Sequence, residues 1–389
     1  MTSNPIDCFY AKNHALVWSN GSIAPCCNYK DGEDPIGNYT NVFEFFNSPE
    51  MLQLRDDHAN GIKRQGCRKC WSVEDVGGTS YRKPSNPDHT GQLKGLDIAL
   101  GRTCTLKCRT CGAFASSAWE SELKSRGIHK DWGKLTSDET PLEAYDHIEQ
   151  LDIQGGEPFL DKRLPTILNY LYTKGISKNV NLTIITNLEW FPDERFTEPL
   201  KRFKNLLIKI SIDGVDARNE YMRSGSTWSN TVDVAKKWGQ FKHTNPDSNI
   251  KIVISHTIST FNFLYYDEMV AETGRLRTFT GLEDLELWAH YALENEWHNC
   301  FLLPVSIKEE AVDLWKQGDP QPWEYQNFRN NTVNMLLQER PVPPLPFDKW
   351  WYNNAEMDNI RSQSIQDALP EVVSMFERHG LFYKDHWTR

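Results

Sequence analysis

Beyond residue 95 the apolar positions fall in short runs at 96–100, 150–154, 180–186, 206–212, 250–256 and 282–288. Most are continuous in Ile, Leu and Val, which predicts strands of a parallel sheet covered on both faces. Between them the pattern predicts helices over 165–174 (stopped by Gly175), 192–203, 231–241 and 263–272. Strands alternating with helices predict a right-handed parallel α/β sheet, either an open barrel of βα units or a doubly wound sheet. The first 90 residues differ. Apolar runs at 15–18 and 23–25 flank Ser19-Asn20-Gly21-Ser22, whose Asn-Gly pair supplies the positive φ angles of a tight hairpin. Ser48-Pro49 then caps a helix through His58, closed by Asn60-Gly61.

This organisation predicts a small separate module over 1–92, an α/β domain over 93–300 and a helical or irregular extension over 301–389. In the extension, Pro341-Val342-Pro343-Pro344-Leu345-Pro346 reads as a stiff connector and 364–379 as a final helix ended by Gly380. Its richness in Trp and Pro suggests a lid. The chain has 389 residues and a formal net charge of −10. That acidic balance argues against binding nucleic acid or anionic membrane surfaces, both of which reward clustered Lys and Arg. No apolar run approaches the roughly 20 residues of a membrane span. Met1-Thr2-Ser3-Asn4-Pro5 has neither the basic start nor the apolar run of a secretory signal, so a cytoplasmic location is expected.

Of nine cysteines, seven form two groups: Cys8, Cys26, Cys67 and Cys70, then Cys104, Cys108 and Cys111. Cys27 and Cys300 are left over, the latter read as an apolar filler. Disulfides belong to oxidising compartments and small domains, so metal or cluster ligation is the better account. The second group is spaced Cys-x3-Cys-x2-Cys immediately after the first strand, and Gly155-Gly156-Glu157-Pro158 follows the next. Three thiolates can hold three irons of a cubane and leave the fourth open to a ligand, and glycine lets backbone approach that ligand closely. Zinc would want a fourth protein ligand, and none is adjacent.

These motifs resemble the radical S-adenosylmethionine enzymes. The resemblance implies an open six-unit partial TIM-type barrel. A [4Fe–4S] cluster on Cys104, Cys108 and Cys111 would have its open iron chelated by S-adenosylmethionine. Gly155, Gly156 and Glu157 would contact the cofactor's amine. Ser211-Ile212-Asp213-Gly214 and Tyr221-Met222-Arg223 match later family patterns, which implies that Ser211 and Arg223 hold the carboxylate and Asp213 sits near the ribose. Thr110 stands where the family often has an aromatic residue beside adenine. The implied reaction begins with one electron from a flavodoxin- or ferredoxin-like donor. It yields a 5′-deoxyadenosyl radical that abstracts a hydrogen atom from substrate. His256 and His290, at the ends of the fifth and sixth strands, are weak catalytic candidates, since a lone His is more often structural.

The N-terminal cysteines, with Gly21 separated by four residues from Cys26 and a later Cys-x2-Cys, are similar to the auxiliary-cluster half of the SPASM/twitch enzymes. That implies a second [4Fe–4S] cluster on Cys8, Cys26, Cys67 and Cys70. Cys27 could replace Cys26, and structural zinc is the alternative occupant. In well-known members this module follows the barrel; here it precedes it. The substrate implied first is a peptide or protein, and second a small polar metabolite. Against a leader-dependent peptide enzyme, no stretch ahead of the barrel is free of cysteines and large enough for an extra peptide-binding domain. A non-catalytic iron–sulfur or zinc protein, acting as redox sensor or partner scaffold, is the reading from another class; nothing in it would require the GGEP turn.

Overall fold

The computed structural model describes residues 5–382 apart from 31, 33, 76, 84–89, 133–139, 294, 319–322 and 339–346. The proline connector falls among the residues not described. Eight strands form one open sheet: β1 (His14–Val17), β2 (Ile23–Ala24), β3 (Gly95–Ala99), β4 (Gln150–Gln154), β5 (Asn181–Thr186), β6 (Asn205–Ser211), β7 (Ile250–Ile258) and β8 (Glu286–Tyr291). Their order is β2-β1-β3-β4-β5-β6-β7-β8, and among the described residues only the β1–β2 hairpin is antiparallel. This is the expected partial α/β barrel.

The first helices are α1 (Phe9–Asn13), α2 (Val42–Phe46), α3 (Pro49–Ala59) and α4 (Arg68–Asp75). Those in the α/β region are α5 (Ser117–Ser125), α6 (Arg163–Thr173), α7 (Glu194–Leu200), α8 (Ala217–Met222), α9 (Trp228–His243) and α10 (Tyr266–Thr280). The C-terminal region holds α11 (Val305–Gln317), α12 (Trp323–Leu337), α13 (Phe347–Arg361), α14 (Ile365–Ala368) and α15 (Pro370–Arg378). As expected, the Ser48 side chain caps α3, accepting from Met51 N. Among the described residues no helix is long and apolar enough to cross a membrane.

Four expectations need correction. The N-terminal segment is not separate from the sheet: β1 pairs in parallel with β3, Leu16 opposite Asp97. His14 secures that join, its Nδ1 2.8 Å from the Pro25 carbonyl and its Nε2 3.1 Å from Asp97 Oδ1. Nor is the sheet covered on both faces. On β6, Leu206, Ile208 and Ile210 are buried while Leu207, Lys209 and Ser211 are only half-buried, and β5 and β8 alternate similarly. One face therefore packs into the apolar core, and the other is open and carries Asp97, Asp152, Lys209 and Thr257. The last expected helix is broken into α14 and α15, because Pro370 has no N–H to continue α14 and instead starts α15. The strand expected at 282–288 begins only at Glu286, since Leu285 N turns back to the Leu282 carbonyl.

Candidate functional site

After β3 the chain runs through Cys104, Cys108 and Cys111 before α5 begins. A loop without secondary structure must find other partners for its backbone. Here Ser116 Oγ donates to the Leu106 carbonyl (2.6 Å) and Trp119 Nε1 to the Cys108 carbonyl (2.9 Å). The Lys107 and Arg109 amides donate to the carbonyls of Ser224 (2.8 Å) and Met222 (2.7 Å). The cysteine loop is thus stitched to the segment that carries Arg223. Burial pushes the Cys108 thiol up to about 12 and that of Cys111 to about 11, so both are protonated at neutral pH and a bound metal group must displace those protons.

The glycine turn sits directly on this loop. Gly156 N donates to the Gly101 carbonyl and Glu157 N to the Thr103 carbonyl, each at 2.8 Å. Gly155 has φ of 135°, and a Cβ on it would stand 2.6 Å from the Gly101 oxygen. The Glu157 side chain is buried and faces only donors: Asn187 N (2.7 Å), Phe159 N (3.2 Å) and Thr186 Oγ1 (3.1 Å). Desolvation nevertheless dominates and raises its carboxyl from 4.5 to about 7. A carboxyl raised in this way supports the cofactor-free fold fully below about 4.5 and loses that support as pH climbs through about 7. Glu157→Gln is expected to remove that slope, worth about 3 kcal/mol, from a plot of urea stability against pH. An unchanged slope would place the titration elsewhere.

At the end of β6, Ser211 lies on the open face. The Asp213 carboxylate accepts from Arg223 Nη1 (2.8 Å) and Thr257 N (2.9 Å). Arg223 is buried, close enough to Cys104 and Cys108 that each thiol and the guanidinium shift one another's proton affinity. Its Nε is buried without a partner among the described residues, and so is Glu189 Oε1, whose carboxyl also feels Arg223. Asn187 Nδ2 lies 3.6 Å from Cys104 Sγ. Leu188, between Asn187 and Glu189, is buried and held in the left-handed region at φ 63°, a strained conformation of the kind that gathers at functional sites. Thr110 lines a cavity of about 770 Å³ with Phe114, Thr257, Tyr291, Trp297 and His298.

The two weak histidine candidates part company. His290 is on the open face, its Nε2 2.9 Å from Thr257 Oγ1. His256 is fully buried, Nδ1 bonded to the Ile212 carbonyl at 3.0 Å, and so points away from the open face; this corrects the expectation that a barrel would aim it at substrate.

In the N-terminal segment Cys8, Cys26, Cys67 and Cys70 lie near enough to influence one another's proton affinity. Cys26 feels the charges of Cys27, then Cys8 and Cys67, while Cys8 and Cys67 both feel Cys70. Cys27 adjoins Cys26 but faces mainly Asp97 and Tyr81. Buried His58 places Nε2 3.9 Å from Cys67 Sγ. Among the described residues no three His, Cys, Asp or Glu side chains are gathered as they would be around a single metal ion.

Residues 8–71 match the model of SPASM, an iron–sulfur cluster-binding domain. No curated protein matches the chain. Among solved structures it is similar to Streptococcus suis SuiB bound to S-adenosylmethionine, at 17% identity over 61% of this chain and 45% of that one, with a TM-score of 0.34. SuiB bound to precursor peptide SuiA gives 18% identity over 50% and 39%, TM-score 0.32. Native anSMEcpe with bound AdoMet gives 19% identity over 70% and 67%, TM-score 0.39. The chain therefore spans less than half the length of those SuiB chains. The family match covers residues 8–71, the segment that carries Cys8, Cys26, Cys67 and Cys70. The matched domain is one that binds an iron–sulfur cluster.

Sequence reasoning missed Glu189, the Asn187 contact to Cys104, and Trp297 and His298 beside Thr110. A Thr-Asn pair closing β5 was the available signal for the first two. Nothing local marked the others.

Proposed function

We propose that this protein is a radical S-adenosylmethionine enzyme that modifies a peptide or protein by hydrogen-atom abstraction. The observation that carries the reading is the seating of the Gly155–Gly156–Glu157 turn on the backbone directly ahead of Cys104, beside a buried arginine with an unpartnered N–H. Three thiols, a glycine cradle and an orphaned guanidinium donor fit a three-cysteine cluster whose fourth iron takes an amino acid.

In this reading Cys104, Cys108 and Cys111 hold the cluster. Arg223, with Ser211 nearby, receives the carboxylate of S-adenosylmethionine through its free Nε, while Asp213 and Thr257 N keep the guanidinium in place. The backbone of Gly155 and Gly156 and the carboxylate of Glu189 serve the amine, and the cavity lined by Thr110, Trp297 and His298 takes the adenosine end. When bound and reduced, the cluster and S-adenosylmethionine supply a 5′-deoxyadenosyl radical. The open face of the sheet, with His290, Lys209 and Asp152, is then the surface that orients substrate. Cys8, Cys26, Cys67 and Cys70 hold the auxiliary cluster, with Cys27 left to Tyr81 and Asp97. The electron donor is flavodoxin- or ferredoxin-like. A peptide substrate is preferred because the similar structures include SuiB with precursor peptide SuiA and anSMEcpe with Cp18Cys peptide.

Anaerobic reconstitution, reduction and chromatography for 5′-deoxyadenosine test this. Product is expected from the native chain and none from the variant with Cys104, Cys108 and Cys111 all changed to Ala, which should still retain about four irons on its remaining thiolates. No product from a native chain with both clusters filled would leave a non-catalytic iron–sulfur protein. Zinc in the triple variant would refute the auxiliary cluster alone.

A further inference from the structure

The C-terminal region makes buried polar contacts with the cysteine loop and with α5 behind it. Arg361, the last residue of α13, is almost wholly buried and forms a fork with Glu122 of α5, Nε to Oε2 at 3.0 Å and Nη2 to Oε1 at 2.8 Å. Its Nη1 donates to the Lys107 carbonyl at 3.0 Å, and its guanidinium lies over Trp119, 4.3 Å from the ring centroid. Trp119 in turn holds the Cys108 carbonyl.

Arg109, between Cys108 and Cys111, reaches the other way. Its side chain is fully buried, stacked on Tyr221 at 3.9 Å and bonded to Asp358 of α13. Nη2 also donates to Gln363 Oε1 (2.9 Å), and Gln363 Nε2 donates to the Glu220 carbonyl (3.1 Å). Asp358 is fixed from behind by Ile365 N at 2.8 Å. Two buried arginines therefore cross between the loop and one helix in opposite directions. Burying such groups costs desolvation that pairing offsets; of the two guanidiniums Arg109 Nε alone has no partner among the described residues, and the remaining bonds constrain each partner's position tightly.

We infer that α13 and the turn after it form a fixed clamp whose Arg361 and Asp358 are positioning residues for the cysteine loop. The C-terminal region acts on the reaction through the placement of Cys104, Cys108 and Cys111, in place of closing over substrate as a lid. The effect on the cluster rests on the function proposed above; the effect on the loop does not.

The full-length chain tests it with Asp358→Asn, which keeps size and hydrogen bonding, and Arg361→Lys, which keeps charge and loses the fork. Arg378→Gln is the control, since it breaks a C-terminal ion pair with Glu310 away from the loop. In cofactor-free protein, hydrogen exchange at the Lys107 and Arg109 amides should rise roughly tenfold or more in both variants, the effect of losing one charge-assisted hydrogen bond, while strand amides hold. After reconstitution, the paramagnetic resonance signal of the reduced chain should respond less to added S-adenosylmethionine in both variants and normally in the control. Unaltered loop exchange in folded variants, or a rise spread evenly over the sheet, overturns the clamp. Altered loop exchange with an unchanged resonance response overturns its role in placing the cluster. Absence of any resonance signal in the native chain would refute the proposed function and leave the exchange result to decide the clamp.

Discussion

Gly156→Ala should cost at least about 3 kcal/mol, the upper end of what overpacking does, and should abolish 5′-deoxyadenosine formation. A Cβ there would stand 2.7 Å from the Thr103 carbonyl carbon and 2.8 Å from that of Arg102, and both neighbours are backbone. Backbone cannot rotate aside as a side chain can. Either the turn lifts off, breaking the 2.8 Å bonds from Gly156 N and Glu157 N, or residues 101–103 move and carry Cys104 with them. Gly274→Ala is the matched control, because a Cβ at Gly274 meets nothing within 4 Å. Thermal melting reports the first effect, and chromatography after reduction the second. A Gly156→Ala chain that melts normally and makes product would show that the close approach has no function.

Arg223→Gln should be comparably severe. It leaves the Asp213 carboxylate buried with Thr257 N as its remaining donor among the described residues, and removing one member of a buried pair typically costs about 3–5 kcal/mol. It also withdraws the cation nearest Cys104 and Cys108. The double variant Arg223→Gln/Asp213→Asn should recover much of the stability, since no unpaired charge is left, yet should not recover binding of S-adenosylmethionine. Urea denaturation and equilibrium binding separate the two. If the double variant binds the cofactor as the native chain does, Arg223 serves the fold alone.

Much of the site could be read from the chain because its parts are local. The cysteine spacing, the GGEP turn and the Asn-Gly hairpin each occupy a few neighbouring residues whose geometry is set by sequence separation. Strand positions were legible to within a residue or so at β3 to β6, where Ile, Leu and Val dominate. Orientation was not. The apolar inner-face residues Leu207 and Ile185 conceal the period of two, and with it the fact that His256 falls on the covered side. The clamp was illegible for a different reason: Arg109 and Asp358 are 249 positions apart, and no local pattern announces a pairing at that range.

His14 ties the carbonyl immediately ahead of Cys26 to the strand that delivers Cys104. The two cysteine groups therefore hang from one rigid frame, and the gulf between them is a built-in dimension of the molecule. An electron crossing that gulf would meet the same tunnelling distance each time.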